Sequence, residues 1–149
     1  MRDVDSFFDT SVVLYLISAD AAKADRTEDL LARSGVISVQ VLNEFTAVAT
    51  RKFAMPFADV GEILGIVREV CRTDPVTVEC HDKGVEIAQR YGFSLYDSVI
   101  VASALLASCK TLYSEDLQHL QTIGGQLTVI NPFVPVGSPT EQAPESNQG

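Results

Sequence analysis

The chain has 149 residues, 46% of them hydrophobic, and 20 acidic side chains against 11 Lys and Arg, a formal net charge of −9. Such a length buries roughly 70% of its unfolded surface around one core without disulfides or metals, so a single domain is expected. The acidic balance excludes broad, sequence-independent binding to nucleic acid, which depends on Lys and Arg.

Ser6 to Asp9 (SFFD) reads as a short strand and Ser11 to Ser18 as the helix after it. Ala21 to Ser34 has helical spacing, with Gly35 as its stop signal. Val36 to Ser38 is a second strand, and Ser38 caps a helix running to about Lys52. Pro56 suits a first helical turn and opens a helix to about Arg72. Pro75 to Glu79 (PVTVE) reads as a third strand from its alternation and β-branched content. HDKGVEIAQRYG is a helix ended by Gly92, and Ser94 to Ala107 is the next. Thr111 to Ser114 is a fourth strand, Leu117 to Gln121 a short helical turn, and Gln126 to Ile130 a fifth strand. Short apolar strands alternating with helices imply an α/β fold, a parallel sheet covered on both faces. Residues 1–135 form the one expected domain. The Pro- and Ser-rich stretch from Val136 to Gly149 reads as a disordered tail.

No apolar run approaches the ~18 residues of a membrane span. The acidic start MRDVDSFFD lacks a signal-peptide pattern, so a cytoplasmic protein with no membrane partner is expected. Cys71, Cys80 and Cys109 are odd in number and form no C-x-x-C pair, which points to packed thiols. His81 and His119 lack metal-ligand spacing.

The carboxylates are more telling. In open α/β sheets, chemistry gathers at the carboxyl ends of strands. Asp9 closes the first strand and Asp116 follows the fourth. Each also has a plain structural reading, an N-cap for Asp9 and a polar turn for Asp116. Glu44 falls at the margin of the apolar stripe of Val41, Phe45, Val48 and Ala49 rather than on the opposite face. Asp97 stands in the first turn of an otherwise apolar helix. Ser94-Leu95-Tyr96-Asp97 fits a capping box with Asp in place of Glu, yet Ile100 and Val101 behind it are core-type residues. No phosphate-binding Gly loop and no G-x-S-x-G elbow occurs. Acids that converge raise one another's pKa unless a cation neutralises them. A hard divalent ion such as Mg²⁺ or Mn²⁺ takes such oxygen ligands and activates water against a phosphodiester.

Taken in order, FFDTSVVLYL, VLNEF, SLYDSVIVASAL and YSEDLQHL resemble the four motifs of the PIN-domain nucleases, in particular the small toxins of the VapC type. The resemblance spans about residues 5 to 132. It implies a three-layer α/β/α fold with a five-stranded parallel sheet and an acidic pocket at one end. It implies a Mg²⁺- or Mn²⁺-dependent endoribonuclease, the toxin of a toxin–antitoxin pair, held inactive by its cognate antitoxin and commonly a homodimer. Asp9, Asp97 and Asp116 would then hold metal, and Glu44 would complete the catalytic set. Thr10, Ser11 and Ser114 would steady these carboxylates. The substrates it implies are tRNA or rRNA. Arg51, Lys52 and Arg90 are the cations expected to meet the RNA. Many relatives have Asn where Ser11 stands and Gly near Leu120, departures that remove no acid.

Three other readings compete. A PIN-like RNA-processing nuclease outside toxin–antitoxin systems keeps the same chemistry. An aspartate-nucleophile phosphatase would use Asp3-Val4-Asp5, but needs that motif at the carboxyl end of an apolar strand, and here it precedes the strand. A non-catalytic binding module has no reason to retain all four acids.

Overall fold

The apolar tripeptide Ser6–Phe8 becomes the middle of the sheet. In this computed structural model, which describes residues 5–135, that strand, β1, lies between parallel β2 (Gly35–Ser38) and β4 (Thr111–Tyr113). Phe7 pairs with Val36 on one side and Leu112 on the other, and all three are fully buried. Burial on both faces is why these strands read as continuous apolar runs rather than alternating ones. β3 (Cys71–Asp74) lies outside β2, and β6 (Leu127–Ile130) outside β4. β5 (Thr122–Ile123) is antiparallel at the edge, giving the order β3-β2-β1-β4-β6-β5. The α/β architecture is as expected, with six strands rather than five.

Helices α1 (Thr10–Val13), α2 (Ala21–Ala32), α3 (Val39–Lys52) and α4 (Phe57–Val70) pack as one group, with a 3-10 turn at Leu14–Ile17 after α1. α5 (Val78–Tyr91) and α6 (Leu95–Leu106) form a tight pair of their own. α3 buries Val41, Phe45 and Ala49, the stripe its spacing predicts. All three cysteines are buried and none is in a disulfide. No helix among the described residues is long and apolar enough to cross a membrane.

Several expectations give way to tertiary context. The third strand is Cys71–Asp74, not Pro75 to Glu79. Cys71 to Asp74 pair residue for residue with Gly35 to Ser38, while the Thr77 hydroxyl accepts the Cys80 N–H and starts α5. Residues that look β-branched in isolation were therefore a helix cap and first turn. Leu117 to Gln121 forms bends and turns instead of helix. Leu120 is left-handed (φ 70°), and its N–H bonds to the Val129 carbonyl alongside β6. Gly124 and Gly125, both at positive φ, turn β5 back onto β6, a hairpin signal that accounts for the extra strand. The helix expected over Ser11 to Ser18 divides into α1 and the 3-10 turn. Gly35 does not stop α2; a Cβ there would lie 2.5 Å from the Phe8 ring, so Gly35 makes room for that ring inside the sheet. Ser38 holds the N-cap position of α3, but its buried hydroxyl makes no cap bond. The proposed tail at 136–149 lies outside the described residues, as does Asp3.

Candidate active site

The site starts where β1 ends. The Asp9 N–H donates to the Tyr113 carbonyl at 3.0 Å, extending the β1–β4 ladder by one residue and setting Asp9 beside Ser114. Asp9 occupies the N-cap position of α1, but its side chain makes no capping bond. Its Oδ2 instead accepts the Ser114 hydroxyl at 2.8 Å and the Ser11 hydroxyl at 2.9 Å. Ser114 Oγ in turn accepts the Asp116 N–H at 3.1 Å and the Leu117 N–H at 3.3 Å. Ser11 Oγ accepts the Glu115 N–H at 3.1 Å. Two hydroxyls thus tie the end of β1 to the loop after β4.

Asp9 is only 4% exposed. Burial pushes its pKa from 3.8 up to about 7, against the pull of the Ser114 and Ser11 hydrogen bonds and with a smaller push from Asp116 and Asp97. Asp116 is exposed as a residue, yet its carboxyl is partly withdrawn from water. Burial there, followed by the charges of Asp97 and Glu115, raises its pKa as well.

Two helices bring the remaining acids. Glu44 on α3 is half-buried; its Oε1 accepts the Thr10 hydroxyl at 2.6 Å and its Oε2 the Gln40 amide at 3.3 Å. The Gln40 amide also donates to the Tyr96 carbonyl at 2.8 Å, joining α3 to the start of α6. Asp97 donates its N–H to Ser94 Oγ at 3.2 Å, one half of the expected capping box. Its carboxylate takes no hydrogen bond from the described residues. Behind it, every residue from Ser98 to Ala104 is buried. Asp9, Glu44, Asp97 and Asp116 line one cleft of about 610 Å³, together with Thr10 and Ser11.

Residues 6–124 match the family model for the PIN domain. The chain belongs to the PIN domain family. The fold of this PIN domain is similar to that of VapC20 of Mycobacterium tuberculosis, described as a sarcin-ricin loop cleaving toxin. That match has 22% identity and a TM-score of 0.62, covering 74% of this chain and 89% of that one. A toxin–antitoxin complex from Klebsiella pneumoniae is 18% identical, with TM-score 0.64 and coverage of 86% and 98%. VapBC2 from Rickettsia felis, bound to a DNA fragment from its promoter, is also 18% identical, with TM-score 0.62 and coverage of 83% and 96%. No curated protein matches the chain.

The donor set of this PIN domain suits a hard divalent cation in kind, since it offers only anionic and hydroxyl oxygens. Asp9 carries the supporting sign, because a buried carboxylate with so raised a pKa is a group whose charge lacks a counter-ion. Among the described residues, no three His, Cys, Asp or Glu side chains already form a metal-ligand cluster. The acids line the cleft separately, and a cation would have to gather them.

Ser114 lies beneath the floor rather than in the cleft, fully buried. Arg51 and Lys52 line the cleft; Arg90 does not, and its guanidinium lies over the Tyr91 ring. Asp5 precedes β1, and its carbonyl accepts Lys110 and Thr111 N–H groups at the amino end of β4, away from the cleft. That removes the geometry a phosphatase D-x-D would need.

Sequence reasoning passed over the Glu115 cluster. Glu115 also lines the cleft, accepting the Tyr15 hydroxyl at 2.6 Å and the Lys23 ammonium at 2.8 Å. Burial raises the Glu115 pKa, but its bonds with Lys23 and Tyr15 outweigh that and lower it overall. Its partners are about a hundred residues away in the chain, and no local pattern signals them.

Proposed function

We propose that this PIN domain is a Mg²⁺- or Mn²⁺-dependent endoribonuclease, the toxin of a toxin–antitoxin pair that acts in the cytoplasm. The observation that carries this reading is the buried Asp9 carboxylate, pKa about 7, sharing one cleft with Glu44, Asp97 and Asp116. Asp9, Asp97 and Asp116 would hold the cation, whose chemistry when bound would be to polarise a water and to shield the phosphodiester from the surrounding negative charge. Glu44, held by the Thr10 hydroxyl and the Gln40 amide, orients the attacking water and draws its proton. Ser11 and Ser114 fix the direction of Asp9.

The toxin assignment draws on fold likeness to the toxin–antitoxin structures, and a cognate antitoxin is its partner. The substrate class is tRNA or rRNA; VapC20, similar in fold, is a sarcin-ricin loop cleaving toxin. A homodimer is the expected assembly.

The test is RNA cleavage by the purified protein with Mg²⁺ or Mn²⁺, by its Asp9→Asn and Asp97→Asn variants, and by the native protein in EDTA. Cleavage is expected only in the native protein with metal, with circular dichroism unchanged in both variants. Full activity in Asp97→Asn, or activity that survives EDTA, overturns the site assignment.

A further inference from the structure

The cleft is lined by cations as well as acids, and one helix carries both. Glu44, Ala47, Val48 and Arg51 of α3 all line it, the i, i+3, i+4, i+7 spacing of a single helix face. Lys52 and Phe53 complete that wall where α3 ends. From Glu44 to Arg51 the wall runs about 10 Å at ~1.5 Å per residue.

Arg51 and Lys52 are exposed and form no ion pair among the described residues. Lys23, a third cation near the cleft, is taken by Glu115. Phe53 is 48% exposed and lines the cleft. The helix dipole explains cations in a last turn. It does not explain an exposed aromatic beside them, or why all three border an acidic cleft on a chain of net charge −9. A phosphodiester at the acids leaves a strand that must run along the cleft. Ala47 and Val48 give it a small, uncharged passage, and Arg51 and Lys52 offer uncompensated positive charge beyond.

We propose that Arg51, Lys52 and Phe53 form a subsite for an unpaired nucleotide of the RNA, about three stacked nucleotides from the bond cut at ~3.4 Å each. The two cations take phosphates and the Phe53 ring stacks on the base. The nucleotide must be unpaired, because the faces of bases inside a duplex are already covered. This subsite rests on the nuclease reading above.

The test is fluorescence anisotropy with a short labelled single-stranded RNA and the Asp97→Asn protein, in which turnover is stopped. Adding Phe53→Ala weakens binding about 5- to 160-fold, the range for loss of one stacked base, while Phe53→Trp retains it. Adding Arg51→Gln and Lys52→Gln flattens the dependence of log affinity on log salt by about 1.4, or ~0.7 for each phosphate no longer neutralised. A 2-aminopurine scanned along the RNA is quenched at one position, and Phe53→Ala removes that quenching. In the chain with Asp97 intact, Phe53→Ala raises KM more than it lowers kcat. RNA that is cut normally, and bound equally by all these variants, overturns the subsite alone. So does unchanged RNA binding with lost binding of a polyglutamate peptide, which would assign the patch to an acidic protein partner. A native protein that neither binds nor cuts RNA with metal present removes the nuclease reading and the subsite with it.

Discussion

Asp9 and Asp97 reach the same cleft from opposite kinds of support. Asp9 is at the end of a central strand, almost wholly buried, and both hydroxyls it meets bond to one oxygen. Asp97 stands half-exposed at the start of a helix, and its own side chain is held only by the rigidity of the α6 backbone behind it. The cost of assembling the acids therefore falls mainly on the strand end, and the helix contributes its acid at little expense. The same substitution should change stability far more at Asp9 than at Asp97.

Asp9→Asn gives the largest effect. The unfolded chain releases the Asp9 proton near pH 3.8, but the folded chain holds it to about pH 7. Between those values the native state binds the extra proton, so the contribution of Asp9 to stability falls as pH rises from about 4 to about 7 and is level above. At ~1.4 kcal/mol per pKa unit the loss is on the order of 4 kcal/mol. Urea denaturation should find Asp9→Asn more stable than the native protein at pH 8 by an amount of that order, with the gain gone near pH 4. Asp97→Asn instead loses a favourable charge in a first helical turn while relieving its repulsion of Asp116 and Asp9, and should move stability by less than about 1 kcal/mol. Equal midpoint shifts for the two variants at pH 8 would erase the distinction.

Ser114→Ala comes next. It strips a hydrogen bond from Asp9 and leaves the Asp116 and Leu117 N–H groups without their acceptor. About 1–3 kcal/mol of stability should be lost, and cleavage should fall about 10- to 100-fold, as when a group that orients a metal ligand is removed. Gly84→Ala probes the helix mount. A Cβ at Gly84 would lie 2.9 Å from Val99 Cγ2 and 3.3 Å from its Cα. Forcing α5 from α6 should cost about 1 kcal/mol net of the better helix propensity of Ala, seen as a lower thermal midpoint. Lys23→Met should matter least. It breaks a partly exposed pair with Glu115 and should move the denaturation midpoint by less than about 1 kcal/mol.

The central strands, the stripe of α3 and the places of the four acids were legible because each left a local mark: an apolar run, a period, or a carboxylate after a strand or beside an apolar stripe. Neither Asp9 nor Asp97 could be told from a helix cap by sequence alone. Both do sit at helix starts, and it took the Ser114 bond, across 105 residues of chain, to show where Asp9 points. The third strand was misplaced for a related reason. Cys71 to Asp74 have little strand character of their own and are extended through pairing with β2, whereas Pro75 to Glu79 look extended until Thr77 caps a helix. Two-residue β5 is too short to leave a periodic signal, and Gly124-Gly125 was its only local announcement.

The Ser114 hydroxyl has one proton, and it points at Asp9. Its oxygen, meanwhile, receives the two amides that open the Asp116 loop. One side chain therefore serves two elements at once: its proton sets the direction of the Asp9 carboxylate, and its oxygen sets the path of the chain into Asp116.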